Sequence, residues 1–127
     1  MIVGIGVDVV DISRVRRMLD AHGDRILNRL CTSAESAYVR GRANEAQHVA
    51  VRVAAKEAAF KALAGTAEAR IIGWAEIEVV PADGGPPRLA FHGRVQQRAS
   101  ELGVARAWLS LSHGDGSAVA MVVLEGR

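Results

Sequence analysis

Of the 16 Lys and Arg residues only two are lysine, Lys56 and Lys61, and both lie in Arg52-Val53-Ala54-Ala55-Lys56-Glu57-Ala58-Ala59-Phe60-Lys61-Ala62. On a helix, Ala50, Val53, Phe60 and Ala64 share the face of Glu57. A carboxylate on an apolar face is costly to desolvate unless it meets a cation. That cation is a metal, or Lys61 one turn on, in an intrahelical pair worth about 0.2–0.5 kcal/mol. A second acidic residue sits in an equally unusual place. In Ile2-Val3-Gly4-Ile5-Gly6-Val7-Asp8-Val9-Val10, strand alternation puts Val3, Ile5, Val7 and Val9 on one face. Gly4, Gly6 and Asp8 take the other, where missing side chains leave room for a ligand or another backbone. If Asp8 and Glu57 meet, they form a hard, all-oxygen site suited to Mg²⁺, which takes one or two carboxylates, several waters and a substrate phosphate. That is a layout for phosphoryl transfer. The plainer account makes Asp8 a strand-end cap and Glu57 an ion-pair partner.

These residues have to be positioned by a small set of elements. Residues 2 to 10 are β-branched and glycine-rich, which predicts a strand. A helix follows, capped by Asp11 or Ser13, with Ile12, Val15, Leu19 and His22 inward and Arg14, Arg17 and Met18 outward. Gly23 ends it, Asp24 opens a short helix, and Thr32 with Glu35 forms a capping box for the next. The alanine-rich stretch from Glu45 to Ala64 predicts the long helix that carries Glu57, with Gly65 as its stop. Beyond it, Trp74 to Pro81 and Arg88 to Phe91 read as a hairpin about Asp83-Gly84-Gly85-Pro86-Pro87. Gly93 to Gly103 reads as a helix, and residues 106 to 112 and 117 to 124 as a final hairpin. The order predicts an α+β fold, a mostly antiparallel sheet with the long alanine-rich helix packed on it, in one domain spanning 1–127.

Composition narrows the function classes. The chain has 127 residues, 50% of them hydrophobic, and a formal charge of +2. Its basic pI of about 9.2 comes from an arginine-rich vocabulary without a dense patch. Aromatics make up 4% and do not alternate with basic residues, so the stacking platforms of single-strand binders are absent and nucleic acid is not the expected partner. The single Cys31 excludes an internal disulfide and gives no zinc-like spacing with the four histidines, so a reducing cytoplasm is expected. The start Met1-Ile2-Val3-Gly4 shows no signal-peptide pattern, and no membrane span is expected. Gly4-Ile5-Gly6 is not a dinucleotide fingerprint, because Val9 stands where the third glycine belongs. Neither a G-K-[ST] phosphate loop nor a G-x-S-x-G elbow is present.

Gly4-Ile5-Gly6-Val7-Asp8 with Arg14, Arg52-Val53-Ala54-Ala55-Lys56-Glu57-Ala58 with Lys61-Ala62, and Ser110-Leu111-Ser112-His113 before a last apolar strand closely resemble the holo-acyl-carrier-protein synthases. These are the short phosphopantetheinyl transferases. Gly85-Pro86-Pro87-Arg88-Leu89 is similar to the family's G-x-P-x-hydrophobic hairpin, so the resemblance runs nearly end to end. It implies transfer of phosphopantetheine from coenzyme A to a serine of an apo acyl carrier protein, in a homotrimer with active sites at subunit interfaces. Asp8 and Glu57 match the family's Mg²⁺ ligands, and Lys61 the lysine near the pyrophosphate. Arg52 and His113 match positions expected near the nucleotide end of coenzyme A; Gly65, Thr66 and Pro87 fall in the coenzyme-binding segments. Arg14 matches a first-helix arginine that meets the acidic carrier. The chain departs from the family at Val53, usually a large aromatic, and in Lys61-Ala62-Leu63-Ala64-Gly65-Thr66-Ala67, where the family often has K-A-F-G-T-G.

On this reading Mg²⁺ neutralises charge on the leaving 3′,5′-ADP and Lys61 adds a second cation. The proton of the carrier serine passes to Glu57 or to a water oriented by Asp8, two alternatives that the residues leave open. Arg14, Arg17 and Met18, with Arg25 and Arg29 beyond, form a basic surface for the acidic carrier. Two rivals use the same residues: a metal-dependent phosphoester or nucleotide hydrolase, and a non-catalytic carrier-binding module.

Overall fold

The computed structural model describes residues 1–64 and 73–127. Strand β1 (Ile2–Asp11) is followed by helices α1 (Ile12–His22), α2 (Asp24–Leu30), α3 (Ser33–Val39) and α4 (Glu45–Ala62). A 3₁₀ turn (Trp74–Glu76), strands β2 (Ile77–Val80) and β3 (Arg88–Phe91), helix α5 (Gly93–Glu101) and strands β4 (Val104–His113) and β5 (Ser117–Gly126) complete it. The long strands form a sheet in the order β1-β5-β4, and β2-β3 is a separate ribbon. Every pairing among the described residues is antiparallel, as an α+β chain of hairpins and helices predicts. The hairpin expected from Trp74 starts at Ile77, because residues 74–76 coil into the 3₁₀ turn.

The caps lie where local chemistry puts them. Asp11 caps α1, accepting from the Ser13 N–H at 2.9 Å and hydroxyl at 2.8 Å, bonds that hold its carboxyl below the usual carboxylate range. Thr32 and Glu35 close the capping box of α3. Helix α4 is buried nearly all round, so alanine, which needs least room, dominates it. Ile12 and Val15 turn inward on α1, but His22 does not: it is exposed at the end of the helix.

The glycine face of β1 is occupied by backbone. A Cβ on Gly4 would run into the Ala62 carbonyl oxygen, and one on Gly6 into that of Ala58, so the missing side chains let α4 lie directly on the strand. Asp8 therefore does not project from a bare surface; its side chain is 18% exposed. The uncovered face is the opposite one, where Ile5 (61%), Val7 (51%) and Val9 (62%) lie exposed beside Met121 and Trp108. Val3, expected with them, packs on the core instead, because a bulge between Ile2 and Gly4 shifts its register.

Ala64, just past the end of α4, adopts φ +53°, a left-handed conformation costing about 1 kcal/mol or more for a residue with a Cβ. Ala64→Gly is expected to raise Tm by about 2–4 °C after allowing for glycine's greater unfolded-state entropy. Calorimetry showing an unchanged or lower Tm would contradict the strain.

Candidate functional site

The contact of β1 with α4 brings Asp8 and Glu57 together, from the second half of a strand and the second half of a helix, 49 residues apart in the chain. Both carboxylates wall one cleft of about 500 Å³, with Asp11, Arg14 and Trp74 and an apolar lining that includes Met18 and Val53. Lys61, one helical turn beyond Glu57, reaches across to β1, donating to Asp8 Oδ1 at 2.9 Å and to the Val7 carbonyl at 3.0 Å. The Lys61 side chain is 46% exposed, so the pair adds at most about 1 kcal/mol to the fold. Its weight lies in placement: a cation is held against one member of the carboxylate pair.

On the other side of α4, Arg52 is buried, and its Nη1 donates to the His48 carbonyl at 3.0 Å. Its guanidinium carbon stands 4.6 Å from the centroid of the Tyr38 ring, and its Nε meets no acceptor among the described residues. Burial lowers its pKa. Arg52 lines a second cleft of about 310 Å³ with Tyr38, His48, Val79, Pro87 and His113. The Gln47 amide donates to His113 Nε2 at 3.0 Å, leaving Nδ1 as the donor of the ring. Burial, then the neighbouring Arg52, Arg42 and His113, hold the His48 pKa below its ordinary value, so that ring is neutral at neutral pH. A buried guanidinium with an unmet donor beside an aromatic ring suits a phosphorylated nucleotide.

The residues singled out from the sequence thus fall into two groups. Asp8, Glu57, Arg14 and Met18 share the first cleft, with Lys61 bonded to Asp8; Arg52, Pro87 and His113 share the second. Arg14 and Met18 are not simply on the outward side of α1, since both reach the carboxylate cleft and Met18 packs against the core. Arg17, Arg25 and Arg29 are exposed on α1 and α2. Gly65 and Thr66 lie outside the described residues. Tyr38, His48 and Gln47 were missed. His48 lies one turn before Arg52 on α4, which is a usable signal; Tyr38 comes from α3, and no spacing in the sequence points to it. Among the described residues no cluster of three or more metal-type ligands occurs, so protein donors beyond the two carboxylates are not assembled. Two carboxylates with open positions are nevertheless the donor set that Mg²⁺ takes beside water and phosphate. Cys31 supplies no nucleophile: its thiol is buried and its pKa is pushed up to about 11 by that burial.

The sequence profile of the 4′-phosphopantetheinyl transferase superfamily matches residues 4–122. A holo-[acyl-carrier-protein] synthase of Trichlorobacter lovleyi is 50% identical over 125 residues, covering 98% of each chain. The crystal structure of the Neisseria meningitidis holo-[acyl-carrier-protein] synthase superposes with a TM-score of 0.89 at 28% identity, covering 98% of this chain and 99% of that one. The Bacillus anthracis holo-(acyl-carrier-protein) synthase, solved in complex with CoA (3′,5′-ADP), superposes with a TM-score of 0.81 at 33% identity, covering 100% and 99%. Motifs, antiparallel fold and near full-length similarity agree that this chain belongs to the 4′-phosphopantetheinyl transferase superfamily, with the holo-[acyl-carrier-protein] synthases.

Proposed function

We propose that the chain, as one domain over 1–127, transfers the 4′-phosphopantetheine group of coenzyme A to a serine of an apo acyl carrier protein. The carrying observation is that Asp8 and Glu57 wall one cleft and that a lysine is bonded to Asp8. Membership of the superfamily and the coenzyme-bound Bacillus anthracis relative support the choice of substrate. The serine oxygen bonds to the phosphorus that carries pantetheine as its proton passes to Glu57 or to a water oriented by Asp8, the bond from that phosphorus to the bridging oxygen breaks, and 3′,5′-ADP leaves with the electron pair. Asp8 and Glu57 would hold Mg²⁺, which supplies charge neutralisation on the pyrophosphate. Lys61, held at Asp8, adds a second cation for the charge that develops on the leaving oxygen. Arg52 and His113 hold the nucleotide end, and Pro87 closes that cleft. The test is intact-mass analysis of apo carrier proteins incubated with the chain, coenzyme A and Mg²⁺, which should show one added phosphopantetheine. Loss of coenzyme A without a heavier carrier would favour the hydrolase, and neither change would favour the binding module.

The reading includes a homotrimer in the cytoplasm. Among the described residues no helix is long and apolar enough to cross a membrane. The sheet face bearing Ile5, Val7, Val9, Trp108 and Met121 is the apolar surface that an assembly would cover. Light scattering at micromolar concentration is expected to give about three chains. A fully active monomer would overturn the shared site.

The docking surface for the carrier is the exposed arginine row of α1 and α2, Arg14, Arg17, Arg25 and Arg29, with Met18 as an apolar contact. Arg14→Glu is expected to raise KM for the carrier about tenfold at low salt, and less as ionic strength grows, because such charges act through encounter and are screened beyond about 10 Å at 0.1 M. Arg17→Glu, which lines neither cleft, should raise the carrier KM in the same sense while KM for coenzyme A stays within about twofold. Unchanged carrier kinetics at low salt would place docking elsewhere.

A further inference from the structure

Lys56 precedes Glu57 in the chain but points into the core. It is 0% exposed. Its ammonium donates to Glu35 Oε1 and the Trp74 carbonyl, both at 2.7 Å, and to the Ile77 carbonyl at 2.5 Å, so all three donors are used. Glu35 is just as fully engaged. Its Oε1 also accepts from the Thr32 N–H at 2.9 Å, and its Oε2 from the Val79 N–H at 2.9 Å. One buried ion pair therefore joins α3, α4, the 3₁₀ turn and β2.

A buried pair of this kind rarely adds stability over apolar residues of similar volume, so what it contributes is read from the elements it joins. What it holds is informative. Trp74 lines the carboxylate cleft with Asp8 and Glu57, and Val79 lines the second cleft with Arg52 and His113. Neither Lys56 nor Glu35 lines either cleft. Resting on the transfer reading above, we propose that the Lys56–Glu35 pair is a positioning device. It sets the wall of each cleft against α4, and so fixes the placement of Glu57, Trp74 and Arg52 on which the rate depends.

Lys56→Met keeps the volume of the side-chain stem and removes the charge. At a temperature where the variant's circular dichroism is native, kcat should fall about 10–100-fold, the size of effect seen when groups that orient metal ligands are removed. The Mg²⁺ concentration giving half the maximal rate should rise as well. KM for the carrier protein should stay within about twofold, because the α1 and α2 arginines are untouched. Glu35→Gln, which keeps shape and one acceptor oxygen, should give a smaller effect of the same sign. Hydrogen exchange on the parent chain needs no variant, because the Thr32 and Val79 amides report on Glu35 directly. Coenzyme A with Mg²⁺, compared with Mg²⁺ alone, should slow exchange at both. Parent-like kcat in folded Lys56→Met, or exchange at Thr32 and Val79 that ignores coenzyme A, would overturn the proposal and leave the pair a fold element only. A parent chain that binds no coenzyme A at all would instead bring down the transfer reading on which the pair's role depends.

Discussion

Asp8→Ala and Glu57→Ala are each expected to lower kcat/KM for phosphopantetheine transfer by about 10²-fold or more in a protein that stays folded. The two carboxylates wall a cleft, and among the described residues Asp8 gives up a half-exposed partner, Lys61, which water can solvate in its place. Tm should accordingly move by no more than about 4 °C in the Asp8 variant. Glu57→Gln separates charge from shape, since the amide fills the same volume and cannot hold a divalent cation as a carboxylate does. It should lose activity as fully as Glu57→Ala, and excess Mg²⁺ should not restore it. Intact-mass time courses beside thermal melts make the measurement. Turnover within a few-fold of the parent in any of these folded variants would remove the carboxylate pair from the mechanism.

The second large effect is expected at a residue that lines neither cleft but underlies the carboxylate pair. Gly6→Ala places a Cβ against the Ala58 carbonyl and 2.9 Å from the Ala62 nitrogen, and both obstacles are backbone, which no rotamer change can relieve. Strand β1 and helix α4 must then separate, at a cost of about 3 kcal/mol or more, a large share of the 5–15 kcal/mol that holds a domain together. Tm should drop by about 10 °C or more. Because Asp8 rides on β1 while Glu57 and Lys61 ride on α4, the folded fraction should also turn over more slowly than the parent. Gly114→Ala is the control, since nothing lies within 4 Å of a Cβ at that position. Equal melts for the two variants would mean that β1 does not lie on α4 as closely as described.

Much of this was legible in the residues themselves. Helix α4 followed from a run of strong helix formers, the Thr32–Glu35 capping box from its two residues, and the antiparallel hairpins from alternation broken by turn residues. Asp8 and Glu57 stood out because each is a charge in an apolar or side-chain-poor setting, and a misplaced charge is visible without coordinates. The glycines of β1 announced a close approach but not its author: the sequence allowed a ligand or a backbone, and only packing decided for α4. For the same reason the exposed face proved to be that of Ile5, Val7 and Val9, opposite the glycines. Glu35 reads locally as a cap and is also, 21 residues away, the buried partner of Lys56. Arg52, Pro87 and His113 come to one cleft from α4, the β2–β3 loop and the end of β4, with Tyr38 added from α3. Caps, periodicity and turns act within a few residues of the chain, where neighbouring dihedral angles and side chains set the energy. Which faces meet, and which buried charges pair, depends on how whole elements pack, and that is decided only when the apolar surfaces of all of them are buried together.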